Sequence, residues 1–432
     1  MNHSLFTEDF KTTPYWLEQT PEPDLPRHEL PAKADVVIIG AGYTGLSAAL
    51  QTAPGGRDTV VLDAENAGSG CSTRNGGQIS TSIKPTFDEL SSKHGKRRAF
   101  DILKEGHNAL AWINQFVTSE QIDCDFKIVG KYSAAHNPAQ YESLGKKIST
   151  PIKGLETEAY LVPRAEQHSE LGSDLYYGGA VFPKCASVDP ARLHRGMLDR
   201  AMEAGARVIT YSPAIDISRD GDGFRVSTAK GSIWTRDVIV ASNGYTSPAT
   251  PWLRRRIIPI GSYMIATEPL APGLMDRLIP KDRVVGDTRK VIFYYRASPD
   301  RQRIVFGGRV SHAESDPRSS GPKLHANMVE IFPELAKTRI SHSWVGFVGY
   351  TFDTLPHLGK QDGIHYAMGY CGSGVAMAGY LGKSIGQQLL GLKDGRTGFD
   401  DLSFQTRPLY TGNPWFLSAS VMYYRMLDRL NR

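Results

Sequence analysis

Ala34-Asp-Val-Val-Ile-Ile39 runs directly into Gly40-Ala-Gly42-Tyr43-Thr44-Gly45, and Leu46 to Thr52 continue in helix-forming residues. The first six residues read as a buried parallel strand, the glycines as a turn, and the remainder as a helix. Thr59-Val-Val-Leu62 predicts the next strand, which ends at Asp63, eighteen residues after Gly45. A bare G-x-G-x-x-G is a weak signal, because glycine loops are common. Between a strand and a helix, with an acid closing the next strand, each position has a physical task. Gly40 permits the tight turn, Gly42 lets a pyrophosphate approach the backbone, and Gly45 lets the helix pack closely on the sheet. The helix start at Tyr43 and Thr44 offers free N–H groups and the positive end of a dipole. Asp63 is placed to accept ribose hydroxyls. Together these residues predict a Rossmann-type dinucleotide site.

The next stretch separates two kinds of dinucleotide. Ala64-Glu-Asn-Ala-Gly-Ser-Gly-Cys-Ser72-Thr73-Arg74-Asn75-Gly76-Gly-Gln78-Ile-Ser80 is made of small residues with a single arginine. An NAD enzyme usually enters another helix here. Free N–H groups on a small-residue loop suit a long flavin dinucleotide instead.

Outward from this core, 432 residues exceed one ordinary core and predict two joined domains. Hydrophobic residues are 40% and charged ones 22%, the balance of a globular protein. A net charge of +5 is mild, and the densest basic run, Arg254-Arg255-Arg256, is short and lies between Pro251 and Pro259, so no nucleic-acid partner is expected. The four cysteines, Cys71, Cys124, Cys185 and Cys371, lie far apart and suggest neither a disulfide framework nor a metal site. No apolar run approaches the ~18 residues of a membrane span, and the polar, Pro-rich start lacks a signal-peptide pattern. A reduced, cytoplasmic setting is the expectation.

The pattern along the chain divides it into several segments. Residues 1–33 are expected to form an arm without regular structure, because prolines recur from Pro14 onward, with Tyr15 and Trp16 as its anchors. Residues 34–84, 150–250 and 351–400 are assigned to the nucleotide domain, 85–149 and 251–350 to a strand-rich substrate domain, and 401–432 to a tail expected to pack back on its own domain. This interleaving predicts an active site at the seam.

With the motifs Ser72-Thr-Arg-Asn-Gly-Gly-Gln78, Val238-Ile-Val-Ala-Ser-Asn-Gly-Tyr245, Pro259-Ile-Gly-Ser-Tyr-Met-Ile-Ala-Thr-Glu-Pro269 and Gly369-Tyr-Cys-Gly-Ser-Gly-Val375 added to the glycine turn, the chain resembles the D-amino-acid-oxidase-like flavoproteins. Within them it is similar to the γ-glutamylputrescine oxidase branch, over nearly its whole length. The resemblance implies an α/β fold: a Rossmann-type FAD-binding domain interleaved with a mixed β-sheet substrate (cap) domain. It places Ala64, Ser72, Thr73, Arg74, Asn75, Gly76 and Gln78 along the cofactor and Val208 near its adenine. Ser242, Asn243 and Gly244 form a second flavin motif. Gly372, Ser373, Gly374 and Val375 open a helix facing the flavin N1–C2=O edge, where reduced flavin gathers negative charge.

Two departures from relatives of the sarcosine-oxidase type carry information. A cysteine that tethers FAD aligns with Val348, so the resemblance implies non-covalent FAD. A lysine that holds a substrate carboxylate aligns with Ala376, which favours an extended amine over a simple amino acid.

The expected reaction removes a hydride from the carbon next to an amine nitrogen, giving an imine that hydrolyses, with O2 reduced to H2O2. The expected substrate is an ω-amino or N-substituted amine such as γ-glutamylputrescine. A dehydrogenase passing electrons to a quinone or carrier is the alternative, and a flavin-containing RNA-binding or RNA-modifying protein a remote one. Candidate pocket residues are Tyr294, Tyr295 and Arg296 on one strand, Arg309 on the next, and Tyr350: aromatics to pack an alkyl amine, an arginine to clamp a distal carboxylate. His357 is a further candidate base.

Overall fold

In the strand Lys33–Ile39, Ala34, Val36, Val37 and Ile38 are buried, so both faces are covered, as a central parallel strand requires. The computed structural model describes residues 5–26, 28–309 and 316–430. Lys33–Ile39 pairs in parallel with Thr59–Leu62 on one side and Gly231–Val240 on the other. Arg207–Ile209 extends the sheet beyond Thr59–Leu62, and Ile364–Met368 pairs in parallel with the end of Gly231–Val240. Asp216–Asp220 and Gly223–Thr228 add an antiparallel flank. Helices Tyr43–Thr52 and Gly374–Leu389 pack backbone to backbone. A Cβ at Gly382 would lie 2.3 Å from the Thr44 carbonyl oxygen, so only glycine allows this contact.

Among the described residues, nine strands form the second sheet. Their order is Phe6–Lys11, Ile340–Tyr350, Ile258–Thr267, Ile304–Gly308, Phe293–Ala297, Val284–Asp287, Lys131–Ala134, Gly179–Phe182 and Tyr160–Val162. It is mixed: Phe6–Lys11 and Val284–Asp287 each have one parallel neighbour, and the other pairs are antiparallel. Helix Pro317–Ile331 covers one face, with Leu324, Met328 and Ile331 in a core shared with Tyr263, Tyr295 and Phe306. The fold is thus a Rossmann-type domain joined to a mixed sheet.

The segmentation read from the sequence needs three corrections. The arm holds regular structure: Phe6–Lys11 is an edge strand in parallel with Ile340–Tyr350, and Tyr15–Glu18 is a short 3-10 turn. The prolines begin at Pro14, so the N–H groups of residues 6–11 remain available for pairing. Residues 160–182, assigned to the nucleotide domain, contribute two strands to the nine-stranded sheet. The 85–149 segment is split. Its helix Lys96–Ser119 buries Ile102, Leu110 and Ile113 in the same core as Leu46 and Leu381 of the nucleotide domain, while Lys131–Ala134 belongs to the other sheet. The amphipathic helix finds its apolar partner in Gly374–Leu389, and the sequence between the two helices does not disclose that pairing.

The tail forms a helix, Leu417–Leu430, docked on the substrate side. Its Asp428 carboxylate accepts from the backbone N–H of Lys290 (2.8 Å) and of Val291 (3.0 Å), and Arg425 donates to the Arg309 carbonyl (2.7 Å).

Candidate active site

The glycine turn is held by close approaches. A Cβ at Gly45 would lie 1.8 Å from the Gly40 carbonyl oxygen, so no other residue fits there. Asp63, at the end of its strand, accepts from the Ala41 N–H (2.7 Å) and from the Glu65 N–H (3.1 Å). Burial raises its carboxyl above the ordinary value, against the pull of these backbone donors. Ser72 Oγ accepts from the Tyr43 N–H (3.0 Å), tying the next loop to the helix start. His194, buried at the centre of this region, donates from Nε2 to the Ala41 carbonyl (2.8 Å), and burial lowers its pKa to about 4.

The loop 72–78 is fixed from both domains. Trp16 Nε1 donates to the Asn75 carbonyl (2.8 Å) and Trp344 Nε1 to the Arg74 carbonyl (2.9 Å). Arg74 donates from Nε to the Ser69 carbonyl (2.6 Å), and Asn75 Oδ1 accepts from the Gly77 N–H (2.8 Å). The second flavin motif meets the segment Gly369–Val375 through Asn243, whose Oδ1 accepts from the Gly369 N–H (2.9 Å). Thr44 Oγ1 and the Tyr370 hydroxyl share a hydrogen bond of 2.6 Å.

These elements enclose one continuous cavity of about 690 Å³. That lies within the roughly 300–1,000 Å³ range of small-molecule sites. It runs from Gly40, Gly42, Asp63, Ala64 and Glu65 past Ser72, Arg74, Asn75, Gly76 and Gln78, then along Ser242, Asn243, Gly372, Ser373, Gly374 and Val375. Tyr43 and Thr44 also line it. It ends against Tyr294, Arg309, Tyr350, Lys84, Lys131 and Lys290, where Leu417, Ser420, Val421 and Tyr424 of the tail helix close it. A long channel of this kind fits a dinucleotide, with a carboxylate at one end, a helix start beside it and a second helix start further along.

Several residues expected at the site stand elsewhere. Gly45, Thr73 and Gly244 shape the wall from behind: Thr73 donates to the Gly68 carbonyl (2.7 Å), and a Cβ at Gly244 would meet the Phe347 carbonyl oxygen at 2.7 Å. Val208 is buried in the core beneath the sheet, and Pro213, Ala214 and Ile217 line the adjoining end of the cavity instead.

Tyr295 points away from the cavity. Strand residues alternate, so Tyr294 faces the cavity, while Tyr295 stacks on Phe306 at 5.4 Å between ring centroids and meets the Tyr176 hydroxyl. Arg296 shares the Tyr294 face but is roofed over: Nη1 donates to the carbonyls of Gly77 and Val188, each at 2.9 Å. Burial lowers its pKa to about 10. It ties the loop to the sheet and does not reach the cavity. His357 is likewise structural, paired with Asp353 (3.0 Å) and stacked on Phe404 at 4.1 Å.

Lys84, Lys131, Lys290 and the tail residues were missed by the sequence reading, because none sits in a motif.

The family of FAD-dependent oxidoreductases designated DAO matches residues 35–388. The chain is a DAO-family, FAD-dependent oxidoreductase. It is 31% identical over 402 residues to the γ-glutamylputrescine oxidoreductase of Escherichia coli, covering 92% of this chain and 93% of that one. A probable oxidoreductase, OrdL, of Haemophilus influenzae is 30% identical over 405 residues, covering 92% of each chain. Among solved structures, glycine oxidase from Geobacillus kaustophilus superposes with a TM-score of 0.71 at 17% identity, covering 88% of this chain and 99% of that one. For this DAO-family chain that likeness concerns the fold. Among the described residues, no helix is long and apolar enough to cross a membrane.

Proposed function

We propose that the protein oxidises an ω-amino or N-substituted amine of the γ-glutamylputrescine type at the carbon beside the nitrogen. The imine formed hydrolyses to an aldehyde, and O2 is reduced to H2O2. The observation that carries this reading is the amine end of the cavity. Tyr294, Tyr350, Val291 and Ile292 supply an apolar wall, and cationic groups stand around it. The 31% identity with a γ-glutamylputrescine oxidoreductase over nearly the full length supports the same reading.

When bound, FAD supplies the hydride acceptor for this chemistry. Its adenosine half would be held by Asp63 and the Tyr43 helix start, its middle by Ser72 to Gln78, and its ring by Ser242, Asn243 and Gly372 to Val375. Val348, which lines the cavity where the tethering cysteine of related enzymes aligns, supports non-covalent binding.

The chain's own contribution is placement and field. The N–H groups at the start of Gly374–Leu389 face the cavity and stabilise negative charge there. Tyr294, held by Ser262 through a 2.8 Å hydrogen bond between hydroxyls, and Tyr350 orient the alkyl chain. Lys84, Lys290 and Arg309 disfavour an ammonium nearby, so the amine is received neutral, the form from which hydride leaves. The tail helix excludes water from this end.

Anaerobic titration of the purified protein with γ-glutamylputrescine, putrescine, sarcosine, glycine and D- and L-amino acids tests the reading. Bleaching of the flavin band by the extended amine, followed by H2O2 release on admitting O2, is expected. Reduction by glycine or amino acids alone would overturn the substrate class. Reoxidation only by an added quinone would overturn the role of O2.

A further inference from the structure

The charges at the amine end exceed what positioning an amine needs. Among the described residues, Asp63 and Glu65 are the acidic groups lining the cavity, and both lie at the nucleotide end. The other end is lined by Lys84, Lys131, Lys290 and Arg309. Lys84 and Lys290 stand exposed at the rim, with the Lys84 ammonium 5.2 Å from the Tyr350 ring centre. Arg309 is engaged from Nη1 with the Gly261 carbonyl (2.8 Å). Lys131 differs from all three.

Lys131 is set into the wall by the alternation of its strand: Tyr132 and Ala134 are buried on the opposite face. Its stem crosses Gly286, where a Cβ would lie 3.3 Å from Lys131 Cε and 3.4 Å from Ile292 Cδ1. The glycine leaves the Lys131 stem room to lie along the wall. Nζ donates to no acceptor among the described residues. Lys131 is half-buried and lines the cavity, so an anionic group bound there would complete its ammonium.

We propose that Lys131 Nζ anchors a carboxylate at the far end of the amine substrate. The substrate class is therefore an ω-amine carrying an anionic group remote from the reacting nitrogen. This rests on the amine-oxidation reading above and adds the feature that selects among amines. Burial lowers the Lys131 pKa. The thiol of Cys185 and the carboxylate of Asp287 oppose that, and the ammonium groups of Lys147 and Lys84 reinforce it. A bound carboxylate would supply the opposite charge the site lacks. The apolar surface of Ile292, Val291 and Tyr294 would hold the methylenes between the two ends.

The test pairs two amines, γ-glutamylputrescine, which carries the carboxylate, and N-acetylputrescine, which does not. In Lys131→Met the KM for the first should rise about 10- to 100-fold, the size of a lost charge-assisted contact. Its kcat should stay within about threefold, and the KM for N-acetylputrescine should be unchanged. Lys131→Arg should restore part of the affinity, which separates charge from loss of fold. Equal weakening of both amines, or no change in either, overturns the proposal.

Binding of glutaric acid monobutylamide, a carboxylate without an amine, is read from its perturbation of the flavin absorbance. It should be lost in Lys131→Met and retained in part in Lys131→Arg. If no amine reduces the wild-type flavin while this probe still binds through Lys131, the amine reading fails and the anion subsite stands. If the probe binds both proteins alike, the subsite fails.

Discussion

At the end beside Gly40 and Asp63, the cavity wall is mostly backbone, held by close approaches and by hydrogen bonds between loops. At the end beside Tyr294 and Lys131 it is mostly side chains, drawn from several strands and the tail helix. A backbone wall tolerates almost no added atom, whereas a side-chain wall can be re-cut by one substitution. One end therefore suits a ligand that never changes, and the other a substrate that differs between relatives.

The sharpest way to break this contrast is Gly45→Ala. With a Cβ 1.8 Å from a carbonyl oxygen, the turn cannot close, and stability should fall by about 3 kcal/mol or more. Urea denaturation and flavin content would both register the loss. A stable, flavin-loaded variant would refute the rigid-wall argument.

Acid should discriminate between the ends as well. Burial holds the pKa of His194 and of His365 at about 4, below the ordinary 6.5, so both are neutral in the folded state. A folded pKa lowered in this way gives stability that is complete above pH 6.5 and lost as pH falls from about 6.5 toward 4. The loss is up to about 3 kcal/mol for each group. Melting temperature across that window should drop, and His194→Gln should flatten part of the drop.

Arg296→Met tests the seam between the two ends. It leaves the Gly77 and Val188 carbonyls without their donor, at a cost of roughly 2–3 kcal/mol. The KM for amine should not change, since the guanidinium does not reach the cavity; a large KM effect would return Arg296 to the substrate site. Tyr294→Phe is the mildest change. It removes the bond to Ser262 and should cost about 1 kcal/mol. Its effect should appear in amine KM, with flavin content intact.

The same contrast explains what could be read from the chain itself. The nucleotide end depends on glycines, an acid and their spacing, all local features, so residues 34–63 and 369–375 were legible as motifs. The amine end depends on which face of a strand a residue takes. In Phe293-Tyr-Tyr-Arg-Ala297 both faces are covered, so the pattern does not distinguish Tyr294 from Tyr295. Lys131 carries no motif, and its stem lies against Gly286 on a neighbouring strand. The helix Leu417–Leu430 mixes apolar and charged residues, and its docking through Asp428 onto backbone N–H groups leaves no periodic trace.

The contact between Thr44 and Tyr370 joins residues 326 positions apart. On a ribosome adding roughly 5–20 residues per second, the first helix waits on the order of tens of seconds for the second. Until then, the apolar face around Leu46 and Ala49 lacks its final cover. The nucleotide fold is thus begun early and closed late, so the newborn chain is most exposed to mispairing during the synthesis of its own substrate domain.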